Sequence, residues 1–292
     1  MIFRSSFVRV SASALAAAML AFPPAAAADT YETCTGTITA LPAVITTQGT
    51  WCLAGDLGTG LGSGDAVTIG TNNVTLDCNG YKLGGLAAGT GTLAIGIHAE
   101  DHLNATVRNC SIRGFHQGIV FEGTGSGGHA IEDNRFDGNT FTALVVEGDG
   151  SVIRRNRIAD TGRSTAGGPA IGIRTAYSVD IIDNTVTGVY ATSGSDGDAH
   201  GIVIVDNPDG QIDGNRVRRI VGNGTGVAFG IHSSTSGRIS LRDNELVGDG
   251  TTGSTGLFCD PGSEAITLDN AVSHFDTANS DCGDDGGNIE MP

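Results

Sequence analysis

The chain has 292 residues, and its 32 acidic side chains against 16 basic ones give a formal net charge of −16 at pH 7. Nucleic acid and anionic membranes are bound chiefly through Lys and Arg, so this balance disfavours both as partners. A hydrophobic content of 39% with dispersed charge excludes a disordered chain. Neutral ligands, cations, and anions bridged by Ca²⁺ suit such a surface.

The first 28 residues have the layout of a secretory signal peptide. Arg4 and Arg9 precede an apolar run, and small residues follow up to an A-x-A site that ends at Ala28. The apolar run is too short and too rich in alanine to span ~30 Å of hydrocarbon. We therefore expect cleavage near Ala28 and a secreted or periplasmic protein without membrane insertion.

Two short phrases recur after this segment. The first ends in an Asn, at Asn134, Asn156, Asn184, Asn215, Asn244 and Asn270, and the residue three positions earlier is apolar in all but the last copy, which has Thr267. The second is Gly-Ile, which begins at Gly96, Gly118, Gly172, Gly201 and Gly230. With a looser copy at Ala143-Leu144 counted, successive copies lie roughly 22 to 30 residues apart, which predicts a solenoid of stacked coils. We place the coils at residues 63–275, between an N-terminal cap at residues 29–62 and a C-terminal tail at residues 276–292.

The residues around each Gly-Ile phrase alternate in character, which predicts strands. In "IGIHAE", starting at Ile95, we expect the first, third and fifth residues to face the interior and the others to face solvent. One such unit cannot bury its own apolar face, and stacked units bury it continuously. By the same parity we expect His200 to face inward.

The recurring Asn has a structural interpretation. It stands just before a bend, where Asn tolerates left-handed backbone geometry. In stacked coils its side-chain amides would hydrogen-bond to one another as a ladder. A cluster of functional Asn side chains is the alternative hypothesis.

Six cysteines in an exported chain predict disulfides. Cys110 holds the Asn position of its phrase, and Cys78 aligns with it one coil earlier. Strands of neighbouring coils lie ~4.8 Å apart, inside the Cα range of a disulfide. The predicted pairs are Cys78 with Cys110, Cys34 with Cys52 in the N-terminal segment, and Cys259 with Cys282 in the C-terminal one.

The two phrases resemble the right-handed parallel β-helix repeats of the pectate-lyase-like superfamily. The resemblance implies an all-β fold, a right-handed parallel β-helix of about eight coils between residues 64 and 275. That superfamily contains pectate and alginate lyases, polygalacturonases, epimerases, phage tailspikes and adhesins, so the resemblance implies a polysaccharide partner but no single activity. The R-x-P-x-x-R motif of pectate lyases, the D-P-H-D motif of alginate epimerases and the full polygalacturonase motif set are absent.

Aligned coils place outward residues in columns. The first column contains Thr68, His98, Val120, Val145, Arg174, Val203, His232 and Phe258. The second column begins with Glu100, Glu122 and Glu147. Like charges ~5 Å apart cost on the order of 1 kcal/mol in water, so a cation among them or a raised pKa would accompany a functional column.

Three chemical interpretations of this surface stay open. The glutamates with nearby carbonyls are a candidate Ca²⁺ site. Alternatively, Glu122 and Glu147 on adjacent rungs have the ~5 Å separation of a retaining glycosidase pair, and the third interpretation is a solvated acidic edge. We predict that Glu122, Glu147, Arg174 and His232 are catalytic, with Arg174 and His232 supplying charge neutralisation and proton transfer.

Four further side chains are predicted to bind substrate. His98 lies beside Glu100 in the alternating strand, and His200 lies where a long loop enters its strand. Tyr190 and Asp198 belong to that loop, and long loops on one side of a repeat array usually build its binding face.

The sequence therefore predicts an exported, monomeric β-helix protein that acts on an extracellular polysaccharide as a lyase or glycoside hydrolase. The alternative is a non-catalytic carbohydrate-binding or structural protein of the cell surface or envelope. A sugar epimerase is a third hypothesis.

Overall fold

A computed structural model describes residues 33–205, 209–234 and 237–291. The predicted signal peptide at residues 1–28 lies outside them. The described residues form 31 short strands, numbered β1 to β31 along the chain, and one 3₁₀ helix at Leu86–Ala88. None of their helices is long and apolar enough to cross a membrane.

The strands form three parallel sheets, to which successive coils contribute in turn. Sheet I contains β1 (Gly36–Ile38), β3 (Gly49–Leu53), β6 (Val74–Asp77), β9 (Thr106–Arg108), β12 (Ala130–Glu132), β15 (Ser151–Arg154), β18 (Val179–Ile182), β21 (Gln211–Asp213), β24 (Ser240–Arg242), β27 (Ile266–Leu268) and β30 (Gly283–Gly286). Sheet II contains β4 (Leu57–Gly58), β7 (Lys82–Gly84), β10 (Ser111–Arg113), β13 (Arg135–Asp137), β16 (Arg157–Gly162), β19 (Thr185–Tyr190), β22 (Arg216–Val221), β25 (Glu245–Val247), β28 (Ala271–Ser273) and β31 (Ile289–Met291). Sheet III contains β2 (Ala43–Ile45), β5 (Asp65–Ile69), β8 (Ile95–Glu100), β11 (Gln117–Glu122), β14 (Thr142–Glu147), β17 (Ala170–Ala176), β20 (Ala199–Val205), β23 (Ala228–Ser234), β26 (Thr255–Cys259) and β29 (Thr277–Ser280).

Along the chain the strands visit the sheets in a fixed order. From β8 in sheet III the chain passes through β9 in sheet I and β10 in sheet II, and β11 returns to sheet III beside β8. About nine turns result, against about eight predicted, because β2 and β29 of the predicted cap and tail extend sheet III at both ends. The prediction of an all-β parallel solenoid is confirmed.

Stacked apolar side chains fill the interior of the coils. In sheet III one buried column, each member at most 1% exposed, contains Ile97, Ile119, Leu144, Ile173, Ile202, Ile231 and Leu257. Full burial of such a side chain contributes ~1.5–3 kcal/mol. Since each member packs against the members above and below it, stacking of the coils provides most of this stabilisation.

The predicted alternation is wrong at the Gly-Ile phrase, where both residues face the interior. Ile202 is fully buried, and a Cβ on Gly201 would lie 2.4 Å from Cγ1 of the core residue Val217. Only glycine fits at this position. The residue before each glycine therefore lies on the outer face, so Ile95 does not join the core and His200 faces outward rather than inward.

The predicted asparagine ladder is confirmed at the turn between sheets I and II. Each Nδ2 donates to the Oδ1 of the Asn one coil further on, at 2.9–3.1 Å, through Asn134, Asn156, Asn184, Asn215, Asn244, Asn270 and Asn288. We predicted left-handed backbone geometry at the Asn, but the structure has it at the residue before the Asn: Asp133 has φ 56° and Asp183 has φ 54°. The Asn is held on both sides by its neighbours, so the preceding residue makes the bend.

All three predicted disulfides are present. The Cα atoms of Cys78 and Cys110 lie 4.8 Å apart, the rung spacing on which the pairing was predicted. The other two bonds join Cys34 to Cys52 and Cys259 to Cys282. Because disulfides persist in oxidising compartments, three of them indicate a protein outside the cytoplasm.

Candidate functional site

The outer face of sheet III carries the first predicted column in the predicted register. Adjacent strands place Thr68 opposite His98, and the pairing continues through all eight members to Phe258. The second column is also in register where strand pairing extends that far, with Glu100 opposite Glu122 and Glu147 opposite Ala176. Residues some two dozen positions apart in sequence are therefore lateral neighbours on this face.

Two of the three glutamates of the second column, Glu122 and Glu147, lie against basic side chains of the protein. Glu147 Oε1 accepts a hydrogen bond from Arg174 Nη1 at 2.6 Å. Glu122 Oε1 lies 3.4 Å from His98 Nε2. Among the described residues, no group of three or more His, Cys, Asp or Glu side chains is placed to hold a metal ion. The Ca²⁺ site at Glu100, Glu122 and Glu147 stays a prediction that this geometry does not support.

His98 is held by an acid that sequence reasoning missed. Its Nδ1 lies 2.9 Å from Asp65 Oδ2, which also accepts a hydrogen bond from the Thr68 hydroxyl. The Nε2 atom is buried, and its 3.4 Å contact with Glu122 lacks hydrogen-bond geometry. Asp65 lies on the outer face because it pairs with Ile95, the residue before a glycine. The broken alternation was the signal that would have found it.

The C-terminal half of the face is a cluster of four rings. His200 stacks on His232 with ring centroids 5.3 Å apart and on Phe229 at 5.1 Å. Phe258 contacts Phe229 at 5.0 Å and His232 at 4.9 Å. Together they form a partly covered surface of aromatic rings on which a sugar could stack. The small number of aromatic residues in the sequence did not predict such a surface.

His200 is the most buried titratable member of this cluster, at 9% exposure. Burial, reinforced by the charge of His232 and opposed by Asp198, lowers the pKa of the His200 imidazole to about 4. His200 is therefore neutral at physiological pH. Its Nδ1 lies 3.4 Å from the Nδ1 of His232.

Asp260 orients His232 from the turn after β26. Its Oδ1 lies 3.2 Å from His232 Nε2, and its Oδ2 accepts a 2.6 Å hydrogen bond from the Ser234 hydroxyl. The Ser234 bond, and next to it the His232 bond and charge, hold the pKa of the Asp260 carboxyl below its usual range. Asp260 stands two residues after Phe258 and so continues the second column one coil past Ser234. Sequence reasoning missed it because that column was not followed to its last coil.

Arg174 lies in the first column between the two halves of the face. Val203 separates it from His232, which gives a span of about 10 Å at ~4.8 Å per rung. One of its five N–H donors is used by Glu147. The Arg174 side chain is 32% exposed, so its guanidinium group can still bind a carboxylate.

The two loop residues predicted to bind substrate, Tyr190 and Asp198, also make contacts within the protein, and their binding role stays a prediction. Tyr190 ends β19 in sheet II, and the guanidinium of Arg163 lies over its ring at 4.0 Å. Asp198 Oδ1 accepts a 2.8 Å hydrogen bond from the backbone N–H of Val227, which ties its loop to the next. Of the predicted binding residues, only His200 lies against His232, and Asp198 influences the site through its charge on His200.

The described residues also form a surface cleft of about 570 Å³ on another face. It lies outside sheet I and is lined by residues that include Asp180, Gln211, Arg242 and Ile266. Arg242 is paired with Asp213 at 2.9 Å. No histidine lines this cleft, so it lacks the proton-transfer group that the sheet III face has.

Solved structures of low sequence identity share this fold. The A-module of the mannuronan C-5 epimerase AlgE4 of Azotobacter vinelandii matches with a TM-score of 0.55 and 14% identity, over 83% of this chain and 79% of that one. A mutant tailspike protein of E. coli bacteriophage HK620 matches with a TM-score of 0.52 and 11% identity, over 88% and 59%. XylC in complex with xylose matches with a TM-score of 0.47 and 12% identity, over 72% of this chain but only 37% of its own.

Sequence comparison identifies the family. No curated protein sequence matches the chain. The family model described as "Right handed beta helix region" matches residues 93–279, which confirms the predicted handedness. The chain belongs to the right-handed β-helix family.

Proposed function

We propose that the outer face of sheet III binds an acidic polysaccharide and cleaves it by a lyase-type elimination. The observation that carries this proposal is His232, held by Asp260 on one side and lying two rungs from Arg174 in the same column, with Val203 between them. A lyase needs a base for the proton next to the sugar carboxylate and a cation to neutralise that carboxylate. This face provides both.

The residues would act as follows. Arg174 binds the sugar carboxylate and stabilises the negative charge that develops on it. The imidazole of His232, through its hydrogen-bonded neighbour His200, takes the proton from the adjacent carbon. The electron pair of the broken C–H bond forms a C=C bond, and the glycosidic C–O bond on the next carbon breaks. The leaving oxygen is protonated by water, and Phe229 and Phe258 offer ring faces to the sugar.

A hydrolase fits this geometry less well. Glycoside hydrolysis needs one protonated and one ionised carboxyl. Glu147 is ion-paired with Arg174, and Glu122 has a side chain that is 44% exposed, without the apolar surroundings that keep a catalytic acid protonated. Glu122 and Glu147 are therefore proposed to border the site rather than to perform the chemistry.

The test is incubation with a broad panel of acidic and neutral polysaccharides. A lyase yields unsaturated products, seen by their ultraviolet absorbance, whereas reducing ends without that absorbance indicate a hydrolase. We expect His232→Gln to abolish the absorbance and Lys82→Gln, on the outer side of sheet II, to retain it. Reducing ends alone, or equal activity in His232→Gln, would refute the lyase.

One observation favours a second candidate function, non-catalytic carbohydrate binding. Three basic side chains of this face already have acidic partners: Arg174 with Glu147, His98 with Asp65, and His232 with Asp260. A surface whose basic side chains are held by acidic neighbours suits a rigid binding face. Tight glycan binding without turnover across the panel would support this candidate.

In either case we propose a secreted or periplasmic monomer, with gel filtration as the test of the monomer.

A further inference from the structure

We propose that His200, His232 and Asp260 form a proton relay, in which a proton enters at Nε2 of the buried His200 and the positive charge settles on His232 beside Asp260. Its catalytic use rests on the proposed function, whereas the relay itself is a property of the three side chains.

The hydrogen bonds fix the tautomers of the relay. The ionised Asp260 carboxylate can only accept, so His232 donates from Nε2 across the 3.2 Å contact. When His232 is neutral, its Nδ1 therefore carries a lone pair. The 3.4 Å contact between the two Nδ1 atoms then requires His200 to donate from Nδ1. The lone pair of His200 is left on Nε2.

The Nε2 atom of His200 is the free end of this chain. Among the residues that the structure describes, it has no hydrogen-bond partner, although His200 as a whole is only 9% exposed. A buried imidazole with one nitrogen committed and the other unpaired is arranged to meet a ligand atom. The ring stack of Phe229 and His232 fixes its orientation.

The relay also explains how so weak a base could act. On its own, His200 would be a poor proton acceptor at neutral pH, because burial lowers its pKa to about 4. In the relay, Nε2 takes the incoming proton while Nδ1–H passes its own proton to Nδ1 of His232. His200 is then neutral again in its other tautomer, and the imidazolium of His232 lies against the Asp260 carboxylate. The charged groups facing the pair are Asp198 on the His200 side and Asp260, which Ser234 also binds.

The relay is tested by NMR of ¹⁵N-labelled histidines in the whole protein, without any substrate. At neutral pH we expect the Nε2–H tautomer for His232 and the Nδ1–H tautomer for His200. Asp260→Asn keeps the side-chain shape but removes the charge, so we expect the ¹⁵N chemical shifts of the His232 ring to change. The control Asp285→Asn, on sheet I, should leave them unchanged. An Nε2–H tautomer for His200, or unchanged His232 chemical shifts in Asp260→Asn, overturns the relay.

Activity adds an independent measurement. If a polysaccharide substrate is found, His200→Gln and His232→Gln should each lower kcat at least 100-fold, and the double variant should be no worse than either, because the two residues act as a unit. A His200→Gln variant with full activity overturns the relay in catalysis while leaving the proposed function intact. Correct tautomers with no turnover on any polysaccharide would instead refute the proposed lyase and leave the relay standing.

Discussion

The asparagine ladder and the outer face of sheet III use the same coil repeat in opposite ways. From Asn134 to Asn270, each coil contributes the same residue to the ladder, and each of these Asn side chains is at most 2% exposed. On the outer face, the first column changes from Thr to His, Val, Arg and Phe along its eight coils. A side chain whose neighbours are copies of itself can only play a periodic role, so the ladder stabilises the coil, and the varied column is free to carry chemistry.

The largest expected effect on stability comes from the end of the ladder where two coils have cysteine in place of the Asn. Removing the disulfide between Cys78 and Cys110 in a Cys78→Ala/Cys110→Ala variant frees a loop of 32 residues. We expect the free energy of unfolding to fall by about 3–4 kcal/mol, measured by denaturant unfolding. The matched control is Lys82→Ala, whose exposed ion pair with Asp56 should contribute less than about 1 kcal/mol. Equal losses in both variants would contradict the special role of the ladder.

A somewhat smaller loss is expected from Asn184→Ala in the middle of the ladder. Asn184 Oδ1 accepts from the backbone N–H and the Nδ2 of Asn156, and its own Nδ2 donates to the carbonyl of Ile153 at 2.9 Å. The alanine variant leaves these buried groups without partners, at a cost of about 2–3 kcal/mol. Thr187→Ala, on the outer side of the same coil, should change stability by less than about 0.5 kcal/mol. An Asn184→Ala protein as stable as the Thr187→Ala protein would contradict the claim that the ladder stabilises the coil.

These two regions also show what the sequence could and could not predict. The coil, its register and all three disulfides follow from phrases that recur at a fixed spacing, because periodicity in sequence becomes adjacency in a solenoid. The failure at Gly201 has a local physical cause: a residue without a side chain can face the packed interior, which the rule of strict alternation does not allow for. Because of this exception, His200 lies on the outer face in the candidate site, whereas strict alternation placed it in the core.

The rest of the candidate site was missed for several local reasons. Asp260 continues the second column one coil past Ser234, where a turn begins and the column was not followed, and its N–H donates a backbone hydrogen bond to Ser233 O. Phe229 precedes Gly230, and Asp65 precedes Ala66 at the equivalent position of an earlier coil, so strict alternation placed neither of them on the outer face. Charge pairing between coils, as in Arg174 with Glu147, depends on side-chain conformations that the register permits but does not determine.

A third prediction concerns a buried polar residue that belongs to neither region. His129 is 1% exposed, its Nδ1 accepts from the Ala105 N–H at 3.2 Å, and its Nε2 lies 2.8 Å from the Ser126 hydroxyl. Burial, opposed by the Ala105 bond and reinforced by His102, lowers its pKa from 6.5 to about 4. The unfolded chain therefore takes up this proton first, and stability is lost as the pH falls below about 6.5 towards 4.

For His129 the expected loss between pH 7 and about pH 4.5 is about 2 kcal/mol. Other titrating groups also contribute over this range, so the measured quantity is the difference in this loss between the natural protein and His129→Gln. The variant should lack about 2 kcal/mol of the acid sensitivity, whatever its stability at pH 7. An unchanged pH dependence would show that His129 does not hold this role.

The smallest effect on stability, and the sharpest test of the contrast, belongs to Arg174 on the outer face. Its bond to Glu147 is partly exposed, at 32% and 21% for the two side chains, so Arg174→Gln should change the free energy of unfolding by no more than about 0.5–1 kcal/mol. The control is Arg154→Gln, which breaks the comparably exposed ion pair with Glu132 on sheet I. Both variants should unfold alike, but only Arg174→Gln should lose polysaccharide cleavage, on the order of 100-fold. Loss of activity without loss of stability in Arg174→Gln would show that Arg174 serves binding or chemistry. Equal activity in the two variants would instead show that Arg174 only forms a surface ion pair.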